Sequence, residues 1–103
     1  MYLLMAEGGS VQLEIYPEPR EHGIRAYLFR LWVIEECRRQ GIAKALLDKA
    51  EELARSEGVD AVYLQWDEWD TPRWMLDHYV ARGYEEVAFG PNNALLKLRL
   101  NKE

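Results

Sequence analysis

The chain has 103 residues, with 13 basic side chains against 18 acidic ones and a formal net charge of −5. That length fits one domain with a modest core, and 49% hydrophobic with 12% aromatic residues is the composition of a packed globule rather than of a disordered segment. The acidic balance argues against a nucleic-acid partner, the single Cys37 excludes an internal disulfide and a multi-cysteine zinc site, and no apolar run reaches the roughly 18 residues of a membrane span.

"YLLMA" (residues 2–6) is a short apolar run closed by the turn signal "EGGS". "VQLEIY" then alternates, with Val11, Leu13 and Ile15 on one face, and the two segments predict a hairpin. "PEPREHG" (17–23) is a polar breaker whose two prolines cannot donate to a ladder. "IRAYLFRLWVI" (24–34) is the longest near-continuous apolar run, and it reads as a central strand covered on both faces. Ile42, Leu46, Ala50 and Leu53 recur at helical spacing, predicting a helix over 42–56 that stops at Gly58. "DAVYLQW" (60–66) follows as a strand, so strand, helix and strand make a parallel crossover. Asp70 or Thr71 caps a second helix with Pro72 in its first turn, ending at Gly83. "YEEVAF" and "ALLKLRL" flank Gly90-Pro91-Asn92-Asn93 as a closing hairpin. The order β-β-β-α-β-α-β-β makes one compact α/β domain.

The stretch "CRRQGIAKALLDKA" (37–50) carries the chemistry. A helix leaving a strand through a loop presents unpaired N–H groups and a positive dipole end in its first turn. Gly41 lets an anion approach the backbone, Arg38 and Arg39 can fork onto phosphate oxygens, and Ala43 is small enough to keep that approach open. The glycine-lysine-serine/threonine ending of a nucleotide P-loop is missing, as are the three spaced glycines of a dinucleotide fold. Arg38-Arg39-Gln40-Gly41-Ile42-Ala43, after a strand ending Leu31-Trp32-Val33, resembles the acetyl-CoA-binding motif of the GNAT acetyltransferase superfamily. Tyr79, Gly83 and Tyr84 in "HYVARGYEEV" are similar to that family's later Tyr-x-x-x-Gly-Phe/Tyr signature. The order of elements from about Val11 onward agrees as well. Three departures stand out. Glu35 replaces a common proline, Asp70 or Pro72 stands where many members carry asparagine, and the chain begins where members already have a strand and one or two helices.

The resemblance implies a mixed, mostly antiparallel sheet with a central parallel crossover and two helices, and an N-acetyltransferase acting on an amine of a small molecule, peptide or protein. It implies acetyl-CoA as cosubstrate, with its pyrophosphate on the backbone of residues 38–43, Lys44 in reach of a phosphate, and pantetheine along Leu31, Trp32 and Val33. Tyr79 is then the expected proton donor to the leaving thiolate. With a phenol near pKa 10 and a thiol near 8.5, that transfer is expected to need little tuning. The family's strand glutamate has no counterpart in "AYLF". Asp67, Glu68 and Asp70 are the alternatives, as a base acting through water or as an attraction for a cationic amine, with Trp66 lining the acceptor pocket. A non-catalytic CoA-binding or interaction module of the same fold stands as the rival reading. A cytoplasmic location, no metal and no membrane contact are expected, and a homodimer would add apolar burial that a monomer this small lacks.

Overall fold

In the computed structural model, which describes residues 1–35, 40–69, 71 and 73–100, the apolar alternation of the first two segments produces the hairpin β1 (Tyr2–Ala6) and β2 (Gly9–Ile15). Val11 and Leu13 point into the core and are fully buried. The breaker loop contains one 3-10 turn over Glu21–Gly23 and leads to β3 (Ala26–Val33). Helix α1 (Ile42–Ser56) buries Leu46, Leu47, Ala50 and Ala54 along its predicted stripe, and Gly58 follows with φ 81°, the left-handed conformation expected just beyond the helix. Strand β4 (Ala61–Asp67), helix α2 (Arg73–Arg82), and the hairpin β5 (Glu85–Phe89) and β6 (Asn93–Arg99) complete the order.

The six strands form one sheet in the order β1-β2-β3-β4-β6-β5. Among the described residues only β3 and β4 run parallel, as the crossover through α1 requires. Both helices lie on one face of this sheet. The core combines Leu46, Leu47 and Ala50 of α1 and Met75, Leu76 and Tyr79 of α2 with Val62, Leu64 and Trp66 of β4 and Leu96 of β6. Among the described residues the other face has no helix. The expectation that the third strand is covered on both sides is therefore corrected: Ala26 and Leu28 are buried, whereas Trp32 on the other face is 56% exposed. An apolar run reports low polarity, and it cannot report that both helices choose the same side. Among the described residues no helix is long and apolar enough to cross a membrane.

A β-bulge interrupts β3. Ser10 pairs with Trp32 and Gln12 with Phe29, so Val11 alone opposes two residues, Arg30 and Leu31. Arg30 takes φ 55°, a left-handed conformation that costs an arginine about 1 kcal/mol. The extra residue moves the core-facing phase from Ala26 and Leu28 to Leu31, which packs against the core. It also follows directly on the last β3–β4 pair. Those strands pair at Tyr27↔Tyr63 and Leu28↔Leu64, and their ladder stops there although both strands continue. The sheet thus opens into a split between Phe29–Val33 and Gln65–Asp67.

Candidate active site

The split leads toward the start of α1. Gly41, the residue before the helix, has φ 79° and no side-chain cap follows from it. Its carbonyl accepts the first helical bond, from the Ala45 N–H at 2.9 Å. The N–H groups of Ile42, Ala43 and Lys44 therefore precede the first turn's acceptors and have no partner within the helix. A Cβ on Gly41 would meet nothing within 4 Å among the described residues, so glycine is required here by the backbone conformation, and the space beside it is open. Such N–H groups at the positive end of a helix dipole are the donor set that a pyrophosphate needs. Arg38 and Arg39 lie outside the described residues. Gln40 is exposed. Lys44 is engaged elsewhere, its Nζ lying 2.8 Å from the Asp48 carboxylate one turn along.

Gly9 sets how closely this helix end approaches the sheet. A Cβ there would sit 2.8 Å from the Trp32 carbonyl oxygen, 3.1 Å from Ile42 Cγ2 and 3.2 Å from Leu46 Cδ1. The absence of a side chain at Gly9 lets the first turn of α1 rest directly on the end of β3.

Tyr79 is buried on the inner face of α2, 6% exposed, with its ring edge-on to Tyr84 at 5.9 Å. No hydrogen bond to its hydroxyl is present among the described residues. Burial pushes its pKa up to about 12. That reverses one expectation. A proton passing from this phenol to a thiolate whose conjugate acid has pKa about 8.5 climbs about 3.5 units, roughly 5 kcal/mol. Even an unshifted phenol would climb about 1.5 units. Tyr79 is therefore neutral throughout the physiological pH range, and complete transfer of its proton to a free thiolate runs uphill.

Behind Tyr79 lies a polar network that the sequence reading did not find. Glu51, 9% exposed on α1, accepts from Arg82 Nε and Nη2 at 2.8 Å each and from the Tyr84 hydroxyl at 2.8 Å. Arg82 also donates to Asp48. Burial by itself opposes charge on Arg82, but the bonds to Glu51 and Asp48 outweigh it and raise its pKa. Burial, followed by the neighbouring Glu51 charge, raises that of Tyr84. This network ties α1 to α2 and fixes the ring against which Tyr79 packs. One sequence signal was available: Glu51 sits between Leu47 and Ala54 on the buried stripe, where an acid needs a partner.

On the helix-free face, a cavity of about 530 Å³ lies between the loop after β2 and the β5–β6 hairpin. Tyr16, His22, Tyr27, Gln65, Phe89 and Asn93 are among its lining residues. Gln65 and Tyr27 place it against the mouth of the split. His22 takes φ 63°, and its carbonyl accepts from the Tyr63 hydroxyl at 3.2 Å, which anchors the loop to the sheet. None of the described residues proposed from sequence for the acceptor is part of the cavity lining, although Asp67 pairs with the lining residue Asn93. Trp66 is 2% exposed in the core, on the opposite face, with the Arg73 guanidinium 5.2 Å above its ring. Asp67 Oδ1 accepts from the Trp69 N–H at 2.9 Å, tying down the turn after β4. Glu68 is exposed on that turn, and Asp70 lies outside the described residues.

The profile of the acetyltransferase (GNAT) family matches residues 8–84, three-quarters of the chain, including the split, the start of α1 and Tyr79. This chain belongs to the GNAT acetyltransferase family. Solved structures share the GNAT fold at low identity. The PaiA N-acetyltransferase of Thermoplasma acidophilum, determined in complex with coenzyme A, superposes with a TM-score of 0.74 at 19% identity over 92% of this chain and 57% of that one. The ribosomal-protein-S18-alanine N-acetyltransferase of Escherichia coli gives 0.72 at 16% identity, covering 93% and 63%. A putative acetyltransferase of Agrobacterium tumefaciens gives 0.64 at 24%, covering 86% and 75%. The chain thus spans about 60% of the length of the first two relatives. No curated protein sequence matches it.

Proposed function

We propose that this GNAT-family chain transfers an acetyl group from acetyl-CoA to an amine by direct attack. The observation that carries the reading is the parallel pair β3–β4, which parts after Leu28 and Leu64 and opens toward the N-terminus of α1. The backbone N–H groups of residues 38–43 bind the pyrophosphate, with Arg38 and Arg39 adding charge, while the edge of Leu31, Trp32 and Val33 holds the pantetheine. A backbone N–H on that edge polarises the thioester carbonyl. The amine enters from the cavity on the helix-free face, through the split. Its nitrogen bonds to the carbonyl carbon, and the C–S bond breaks. Tyr79, on the helix side, donates a hydrogen bond to the departing sulfur, and the proton released by the amine nitrogen balances the thiolate. Asp67 and Glu68 make the end of β4 electronegative, which favours a cationic amine over an acidic one; Asp70, expected to add to this, lies outside the described residues. A cytoplasmic setting, with its supply of acetyl-CoA, suits this activity.

Calorimetric titration with acetyl-CoA tests the reading, with the Arg38→Ala/Gly41→Asp double variant alongside. Saturable binding that the variant loses is expected. Tyr79→Phe should retain that binding while thiol release in the presence of an amine panel falls on the order of 10²-fold. Binding without transfer to any amine would favour the non-catalytic module. No binding to the folded chain would remove the cradle from the argument.

A further inference from the structure

We infer that the cavity on the helix-free face takes an amine that also carries a carboxylate, with the carboxylate on Arg20 and the amine nitrogen on Gln65. The inference rests on the acetyltransferase reading for the fate of the amine, and not for what the cavity holds. Arg20, on the loop after β2, lines the cavity with its guanidinium stacked on the Tyr16 ring, 4.0 Å from the centroid. Its backbone is held on both sides, the N–H donating to the Ile24 carbonyl and the carbonyl accepting from the Gly23 N–H, each at 2.8 Å. No carboxylate pairs with it among the described residues. Glu21, next in sequence, has His22 as its neighbour instead, 3.9 Å from Nε2. A guanidinium stacked on a ring keeps its in-plane N–H fork free for a bidentate carboxylate. The Tyr27 phenol also lines the cavity; burial, and then the neighbouring Tyr16, raises its pKa and keeps it a neutral donor.

Gln65 marks the other end. It is exposed on an inner strand although Leu64 and Trp66 beside it are buried, and its side-chain amide has no partner among the described residues. It is the first residue of β4 beyond the last β3–β4 pair, Leu28↔Leu64, so it borders the split. An amide oxygen there accepts an N–H of the amine and leaves the nitrogen lone pair free to face the thioester. Asp67, two residues on, favours an ammonium at this end. The cavity is thus basic at the loop and acidic toward the end of β4. A volume of about 530 Å³ corresponds to roughly 10 Å across, and an extended dipeptide is about 7 Å long. The fitting chemistry is an amine and a carboxylate at opposite ends of one molecule, as in an amino acid with separated charges or a short peptide. A plain alkylamine leaves the Arg20 fork without a partner.

Equilibrium binding to the whole chain tests this without requiring turnover. The probes are 6-aminohexanoate and glycylglycine, each beside its carboxamide, which keeps the size and removes the charge. The carboxylates should bind at least tenfold more tightly than their amides. Arg20→Gln should bring that ratio to about one, and Arg20→Lys should keep part of it. Gln65→Leu should weaken all four probes alike, because it acts at the shared amine end. Circular dichroism checks that each variant is folded. An Arg20-dependent preference confined to one of the two carboxylates supports the inference and names the source as amino acid or peptide. Equal binding of acid and amide by the wild type overturns it, as does a preference that survives Arg20→Gln, or no saturable binding of any probe. Arg20-dependent binding with no acetyl transfer from acetyl-CoA would remove the catalytic reading and leave the ligand assignment standing.

Discussion

Glu51→Ala is the sharpest test of what holds the candidate site together. The substitution removes three hydrogen bonds, two from Arg82 and one from the Tyr84 hydroxyl. Stranding one member of a buried ion pair costs about 3–5 kcal/mol, and an unsatisfied buried hydroxyl about 1–3 kcal/mol. These do not simply add here, because Arg82 keeps Asp48, a half-exposed carboxylate, as its partner. A net loss of about 3 kcal/mol follows, a large share of the 5–15 kcal/mol typical of a domain. For a chain of this length that lowers Tm by roughly 10–20 °C. Urea unfolding measures it directly. Glu51→Gln, which keeps one acceptor oxygen, should cost about half as much, and its double-mutant cycle with Tyr84→Phe should show coupling of about 1 kcal/mol. A loss below about 1 kcal/mol for Glu51→Ala would refute the claim that this carboxylate anchors α1 to α2.

Gly9→Ala should cost about 1–3 kcal/mol in urea unfolding, since its Cβ meets an unyielding carbonyl, and it should weaken acetyl-CoA binding by displacing the first turn of α1. Gly41→Ala should cost only about 1 kcal/mol, because φ 79° strains an L-residue while the space is open, and Gly41→Asn should recover part of that. Equal losses at the two glycines would contradict this distinction. The pKa of Tyr79 is raised on folding from 10.0 to about 12, so the folded state holds its proton longer than the unfolded one. The associated stability is complete below about pH 10 and fades by about 1.4 kcal/mol per pH unit toward pH 12. Urea midpoints taken from neutral to alkaline pH should therefore fall more gently in Tyr79→Phe than in wild type. Parallel curves would show that Tyr79 is not the buried phenol described.

The chain's local patterns were enough to place its elements. The period-2 alternation around Val11–Ile15, the apolar stripe from Ile42 to Leu53 and the glycines at 58 and 83 each act within one turn or strand, so their meaning does not depend on distant residues. The same locality makes the α1 start a candidate anion site in the sequence alone, since dipole, glycine and basic side chains are neighbours there. Tertiary structure decided what depends on pairing at a distance. The bulge at Arg30 exists only because Val11 opposes two residues of β3, though Arg30 does interrupt the apolar run where the phase changes. Whether Trp66 lined a pocket or filled the core turned on which face received the helices. The cavity on the helix-free face joins residues more than 70 positions apart, from Tyr16 to Asn93. Glu51, Arg82 and Tyr84 become one network only once α1 and α2 share a face. Sequence spacing encodes the period of each element, and the physical choice of sides and neighbours belongs to the packed chain.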